Sequence, residues 1–405
     1  MLSLTFLRTH RRLLAFGAFM TFCSSMGQTF FISLFSGEIR EALALSDGEF
    51  GTIYSLGTLS SAAVLLWAGR LIDRVPLPIF SAAVLTGLAA MCLLMSAVWS
   101  AAVLTLAIFG LRFFGQGLAN HCAIVAMGRY FEAARGRAVS LASLGHTFGD
   151  AALPSLVVAA LAFATWQQVW TGAGLALLAL VPLVFLLLKG QRARDHAFRA
   201  QRQSGNHNDR ALGAALRDPG LWLRLPALMA PSFIFTGLIF HQVHLAGSKG
   251  WPLSLLAGSF VLFAACAVGA MMLTGLLVDR FSARQLVPTF LAPLALACLV
   301  LASSDAPLAA PLFMALLGIN TGIASVLLGA LWPELYGLTH LGAIRAFGQS
   351  TMVFASGLAP AIMGYFIDQG LDMETIAFTC AVYCLAASAL AFVAEQAGRT
   401  RTALR

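Results

Sequence analysis

Residues 108–155 read IFGLRFFGQGLANHCAIVAMGRYFEAARGRAVSLASLGHTFGDAALPS, and this stretch decides the fold. It consists of two apolar runs joined by a basic segment, with Arg112 inside the first run and Asp150 inside the second. Each run is long enough to cross a bilayer as a helix. A charge at the centre of a bilayer costs on the order of 3 kcal/mol, and ionisable residues there usually serve a function. The two charges predict a functional polar centre in a membrane protein.

The composition of the whole chain agrees with a membrane protein. Of its 405 residues, 59% are hydrophobic and 10% are charged, whereas a soluble domain carries about 25% charged residues. Lipid must therefore cover much of the surface. The net charge of +8 does not indicate a nucleic-acid partner, because the basic residues lie in short segments between apolar runs. The seven cysteines are scattered without a CxxC pair, so neither a metal site nor a disulfide framework is expected.

Apolar runs recur along the entire chain and predict about twelve transmembrane helices in an all-α protein. An even number of helices places both termini on one side of the membrane. The predicted spans are 13–36, 50–68, 78–98, 101–127, 138–162, 166–188, 221–244, 253–275, 286–303, 308–331, 344–367 and 374–395.

The charges between the spans predict the orientation. Arginine and lysine concentrate at both termini and in every second connection, whereas the remaining connections carry mainly acidic residues. Because positive residues favour the cytoplasmic side, both termini are predicted to be cytoplasmic in a multi-pass protein of the plasma (inner) membrane.

The chain is predicted to consist of two six-helix halves. The interval 190–220 is the one long polar connection, and we interpret it as a cytoplasmic linker. The predicted regions are the N-terminal half 1–189, the linker 190–220, the C-terminal half 221–396 and a cytoplasmic tail 397–405.

An internal repeat supports pseudo-symmetry between these halves. The segment GRLIDR at 69–74 recurs 206 positions later as GLLVDR at 275–280. The same offset maps Tyr130 onto Tyr336 and Pro154 onto Pro360. Repeated halves of this kind are typical of rocking transporters.

With these motifs the chain resembles the major facilitator superfamily (MFS) over essentially its whole length. The two GxxxDR segments resemble the family's cytoplasmic gate motif, and Arg112-Phe-Phe-Gly-Gln-Gly117 resembles its helix 4 motif. The resemblance implies a twelve-helix MFS fold, a small-molecule substrate, alternating access and a monomer. Tyr130-Phe131 with the following Arg-Gly-Arg-Ala is similar to a loop of monocarboxylate-type members. This similarity gives a lean towards that subfamily.

The repeated motif predicts a gate. Its charges at the helix ends would pair with a neighbouring helix terminus in one conformation and release it in the other. The alternative is a loop that only anchors helices and sets topology. The predicted gate residues are Gly69, Asp73, Arg74, Gly275, Asp279 and Arg280.

The polar centre is predicted to bind substrate and protons. Arg112 and Gln116 are four residues apart, as are His146 and Asp150, so each pair shares a helix face. The repeat places Gly318 opposite Arg112, so the charges belong to the N-terminal half, which favours function. The alternative is a structural ion pair between Arg112 and Asp150.

Further polar residues in apolar runs complete the predicted site. They are expected to line the substrate path, although each is equally compatible with hydrogen bonding between helices. The predicted substrate-binding residues are Arg112, Gln116, Gln28, Asn320 and Gln349, and the predicted proton-coupling residues are Asp150 and His146.

The sequence contains no nucleotide-binding, metal-binding or nucleophile motif, so neither an enzyme nor a cofactor is expected. The favoured function is transport of a small organic anion with proton coupling. The alternatives are proton-driven efflux of drug-like or cationic metabolites, since Asp150 would pair with a cation, and a membrane sensor that binds without transporting.

Overall fold

The computed structural model describes residues 4–68, 71–72, 74–131, 135–190, 213, 216–336 and 341–403. Within these ranges the secondary structure is entirely helical, with no β-strand. The α-helices are α1 (Leu4–Ser24), α2 (Thr29–Ile32), α3 (Ser36–Leu43), α4 (Asp47–Ala68), α5 (Leu77–Ser96), α6 (Ala101–Gly110), α7 (Asn120–Tyr130), α8 (Arg135–Leu161), α9 (Trp166–Leu187), α10 (Pro219–Phe240), α11 (Gln242–Ser248), α12 (Leu253–Phe281), α13 (Ala283–Leu286), α14 (Ala292–Ser303), α15 (Ala309–Tyr336), α16 (Leu341–Asp368) and α17 (Met373–Ala403). A π-helix, Leu111–Ala119, joins α6 to α7.

Many of these helices are suited to crossing a membrane. In the described ranges, nine are long and apolar enough, and the bent pair Arg8–Gly27 and Thr29–Leu43 forms a tenth span with a 46° bend. The other two predicted spans overlap α4 and the shorter apolar helix α14. The all-helical membrane fold predicted from the sequence is confirmed.

The polypeptide divides into two compact units. The first contains Met1–Leu45 and Thr52–Gly205, and the second contains Ser46–Gly51 and Asn206–Arg405. The division at Gly205 falls inside the predicted linker, most of which lies outside the described residues. The first turn of α4 is grouped with the second unit, although α4 continues into the first. The predicted linker and tail stay predictions.

Glycines allow close helix crossings inside each unit. In the first unit, a Cβ atom on Gly145 of α8 would collide with the carbonyl oxygen of Ala18 in α1. In the second, a Cβ atom on Gly318 of α15 would collide with the carbonyl oxygen of Phe263 in α12. Small residues let membrane helices approach until their backbones touch. These crossings fix the positions of the helices that carry the polar residues.

The first helix is interrupted, and the interruption positions the polar centre. After α1 the chain forms a 3₁₀ turn at Ser25–Gly27. Gln28 is then extended, with φ −86° and ψ 155°, before α2 begins. An extended residue ends the helical hydrogen-bond ladder, so carbonyl groups at the break must find other donors.

Candidate functional site

Arg112 lies in the π-helix, directly against the break in the first helix. A Cβ atom on Gly27 would collide with the carbonyl oxygen of Leu111 and lie 2.8 Å from the Cα atom of Gly115. Only glycines at positions 27 and 115 allow this approach. π-Helical turns are rare and occur frequently at functional sites. Two irregular backbone segments therefore meet at the predicted centre.

The side chain of Arg112 is 2% exposed and is held by neutral groups. Its Nη1 donates to the carbonyl oxygen of Gly27 at 3.2 Å and to Oγ1 of Thr29 at 3.4 Å. The guanidinium carbon lies 5.3 Å from the centre of the Tyr54 ring, a cation–π distance. Its Nε has no hydrogen-bond partner in the part of the chain that the structure describes. The break in the first helix supplies the acceptors.

The groups around Arg112 do not compensate its charge. Thr29 Oγ1 and the Tyr54 hydroxyl are hydrogen-bonded to each other at 2.8 Å, and both are neutral. Among the described residues, no carboxylate forms an ion pair with Arg112. A buried charge without an opposite charge costs several kcal/mol. The interior of the first unit therefore has a positive centre that favours an anion.

Three of the predicted substrate-binding residues come together at this crossing. Gln28 follows Gly27 in the extended link, and the backbone nitrogen of Gln116 would lie 2.8 Å from a Cβ atom on Gly27. Both glutamines are half-buried.

His146 and Asp150 form the predicted proton-coupling pair on α8. His146 Nε2 lies 3.7 Å from Asp150 Oδ2, and the side chains are 40% and 14% exposed. The four-residue spacing places them on one face of the helix, as the sequence predicts. A carboxylate beside an imidazole, partly accessible, is suited to exchanging a proton.

The ion pair between Arg112 and Asp150, weighed as the structural alternative, does not form among the described residues. Arg112 is instead held by Gly27 and Thr29, and Asp150 has His146 as its partner. The cause is the break in the first helix, which offers a backbone acceptor that no sequence pattern of the fourth and fifth spans reveals.

Asn320 and Gln349 lie in the second unit, in different environments. Asn320 is buried on α15, and its Nδ2 donates to the carbonyl oxygen of Phe290 at 2.9 Å. This hydrogen bond joins α15 to the turn before α14. It is the kind of contact between helices that the sequence analysis gave as the alternative to lining the substrate path. Gln349 is exposed on α16.

Only some of the predicted gate residues lie in the part of the chain that the structure describes. Gly69 and Asp73 lie outside the described residues, and Arg74 is exposed. In the repeat, Gly275 has open space around it, and Asp279 and Arg280 are exposed. The guanidinium carbon of Arg280 lies 5.2 Å from the ring centre of Phe281.

The structure also shows charged clusters that the sequence did not predict. Lys249 Nζ, fully buried, lies 2.6 Å from Asp305 Oδ1 and 2.5 Å from Glu374 Oε1. Burial by itself lowers the pKa of Lys249, but hydrogen bonds to these two carboxylates outweigh it and raise the pKa above its ordinary value. The lysine joins two connections of the second unit to the first turn of α17.

Two further buried side chains have ionisable partners. Arg224 is buried, and its Nη2 lies 3.4 Å from Glu395 Oε2. His241 is 2% exposed, and its Nδ1 lies 3.5 Å from Asp47 Oδ1. Both partners are remote in sequence, so no local pattern reveals them. No cluster within the described ranges is arranged to hold a metal ion.

The fold and these polar centres define a multi-pass membrane transporter. Residues 17–313 match the family model of the Major Facilitator Superfamily, which is more than half of the chain. The chain therefore belongs to the major facilitator superfamily, whose members are secondary transporters and not enzymes. A search of curated proteins returns no match.

Solved structures show the same fold at low sequence identity. A bacterial homologue of the human lysosomal transporter Spinster, inward-facing and unoccupied, has a TM-score of 0.72 and 15% identity over 96% of this chain and 97% of that chain. Its occupied inward-facing form has a TM-score of 0.58 and 17% identity, covering 96% of each chain. A mutant of the nucleoside transporter NupG has a TM-score of 0.67 and 14% identity, covering 96% of this chain and 99% of that chain.

Proposed function

We propose that this transporter moves a small organic anion across the plasma (inner) membrane, coupled to protons, by alternating access. The observation that carries the proposal is Arg112, a buried cation. Among the described residues its partners are all neutral, and its Nε has no hydrogen-bond partner. A carboxylate would supply both the missing charge and the missing acceptor, because the planar guanidinium binds carboxylates through two parallel hydrogen bonds.

The neighbouring residues support a carboxylate substrate. Gln28 and Gln116 lie at the same crossing and are partly accessible, so their amides would bind polar groups next to the carboxylate. The lean towards monocarboxylate-type members rests on the motif that begins at Tyr130. The comparisons with known proteins do not support that subfamily.

Proton coupling is proposed to use Asp150 and His146. The two side chains have separate described partners, so coupling between the substrate at Arg112 and the proton on Asp150 would run through the conformational equilibrium that both ligands shift. We expect Asp150→Asn to abolish accumulation driven by a pH gradient while substrate exchange without a gradient continues at a comparable rate. Proteoliposomes loaded for counterflow measure both activities in one preparation.

The substrate class is tested in the same proteoliposomes. Organic anions should be taken up when the pH gradient is imposed, and a panel of cations of similar size should not. Exchange of cations that depends on Asp150 would favour efflux of cationic metabolites. Binding of an anion without any uptake would indicate a sensor. Either result would overturn the proposal.

The proposed topology places both termini and the linker in the cytoplasm, with the chain acting as a monomer. A reporter fused after Arg405 or near Ser204 should behave as cytoplasmic. A reporter near Asp305 or Asp372 should behave as external, and a C-terminal reporter on the external side would refute the proposed orientation.

The gate proposal concerns Asp73 and Asp279. Each carboxylate would bias the conformational equilibrium without touching the substrate. Neutralising either residue to asparagine should slow transport several-fold and leave substrate affinity nearly unchanged. Full transport rates in both variants would mean that the loops only anchor helices.

A further inference from the structure

Within the second unit, the first turn of α4 is held against α10 and α16 by two kinds of contact. In the first, its backbone packs on α16: a Cβ atom on Gly51 would collide with the carbonyl oxygen of Pro360, and one on Gly364 would lie 2.5 Å from the carbonyl oxygen of Asp47. Asp368 adds to this by accepting from Ser46 Oγ at 2.6 Å and from the Gly48 N–H at 2.9 Å. None of these contacts requires an additional proton.

The second kind of contact is made by His241, which ends α10. Its Nε2 lies 3.1 Å from the carbonyl oxygen of Pro360, and its Nδ1 lies 3.5 Å from Asp47 Oδ1. A carbonyl oxygen and an ionised carboxylate both only accept hydrogen bonds, whereas a neutral imidazole has a single N–H. If Nε2 donates to Pro360, the lone pair of Nδ1 faces the carboxylate.

We infer that His241 and Asp47 form a second proton-binding site, which holds the first turn of α4 against α10 and α16 when it is protonated. With both ring nitrogens protonated, His241 presents N–H groups to the carbonyl oxygen of Pro360 and to the carboxylate of Asp47. The attached arrangement therefore binds one proton more than a neutral histidine beside an ionised aspartate. Asp47 lies in the first turn of α4, where the helix dipole favours the ionised carboxylate.

Aromatic rings pack around the pair and leave little room for a water molecule that would bridge Nδ1 and Oδ1. His241 is buried, its ring packs edge-on against Phe240 with centroids 4.9 Å apart, and Phe50 stacks on Phe240 at 5.0 Å. Facing acceptors without a hydrogen between them repel each other, and burial makes this costly. Loss of the proton should therefore weaken the attachment of residues 46–51.

Other titratable groups near the pair have their own described contacts. His244 Nδ1 lies 3.2 Å from Asp47 Oδ2, and this imidazole is 32% exposed. Glu49 Oε2 accepts from the Ser46 N–H, and Asp368 caps the start of α4 from α16. Water can therefore solvate the His244 side chain whether or not the segment is attached.

This inference goes beyond the proposed function, because it involves neither the substrate nor Asp150. Binding of one proton to the attached state alone makes the ratio of attached to released segment fall by up to about tenfold per pH unit as the pH rises. The experiment covers about pH 5 to pH 8, the interval in which histidine side chains in general change charge.

Hydrogen–deuterium exchange of the full-length protein in nanodiscs, without substrate, tests the inference. Protection of a peptide covering residues 44–55, corrected for the intrinsic pH dependence of exchange, should fall as the pH rises through that interval. Asp47→Asn is the decisive variant, because its amide donates a hydrogen to the neutral Nδ1 of His241. Its protection should remain high and lose the pH dependence.

Matched variants separate this site from its neighbours. His241→Phe keeps a ring of similar size and should show low protection at every pH, whereas His244→Gln and Asp368→Asn should keep the pH dependence. The inference is overturned if wild-type protection is independent of pH, if Asp47→Asn retains the wild-type slope or is loosened at every pH, or if His244→Gln alone removes the slope. If His241→Phe does not fold, the Asp47→Asn comparison remains decisive.

Discussion

Replacing Arg112 with lysine should weaken binding of the anionic substrate by roughly ten- to hundredfold, because one charge-assisted hydrogen bond is worth about 1.5–3 kcal/mol. Lysine keeps the positive charge but loses the planar fork and the Nε–H, which has no partner within the described ranges. Arg112→Gln, which removes the charge as well, should abolish measurable accumulation. Substrate-induced thermal stabilisation gives the affinities, and uptake gives the rates.

The control for this prediction is the stability of a double variant, because Arg112 and Asp150 form no ion pair among the described residues. If the two charges stabilised each other directly, Arg112→Gln combined with Asp150→Asn would restore stability lost in either single variant. The two side chains have separate partners, so we expect their effects on stability to add within about 0.5 kcal/mol. Wild-type substrate affinity in Arg112→Lys would reduce Arg112 to a structural role.

Replacing Gly115 with valine should have the largest effect on folding. A Cβ atom there would lie 2.7 Å from the Cα atom and 2.9 Å from the nitrogen of Gly27. These are backbone atoms, so they cannot turn aside as a side chain would. Overpacking typically costs about 1–3 kcal/mol, and we expect the upper end of this interval or more. Thermal unfolding and the yield of monodisperse protein measure the loss.

Gly172→Val is the matched control for this prediction. Gly172 also lies in a helix of the first unit, on α9, but a Cβ atom there has no neighbour within 4 Å. The same substitution should therefore leave the unfolding temperature close to that of the wild type. Equal stability of Gly115→Val and Gly172→Val would contradict the close crossing of the first helix and the π-helix.

Much of the fold could be predicted from hydrophobicity alone. The predicted spans 78–98 and 166–188 lie within two residues of α5 and α9 at each end, because the length of an apolar run is set by the bilayer thickness. The sequence did not reveal the break at Gln28 or the π-helix at Leu111–Ala119. Neither changes the hydrophobic pattern, and both depend on contacts with another helix.

Among the polar sites, too, some contacts could be predicted from the sequence and others could not. The proximity of His146 and Asp150 follows from their spacing on one helix, so the sequence by itself determined that pair. The acceptors of Arg112 and the contact of His241 with Asp47 join residues far apart in the chain. Only the tertiary structure decided them, because which backbone groups are left without helical partners, and which side chains reach them, depends on how the helices pack.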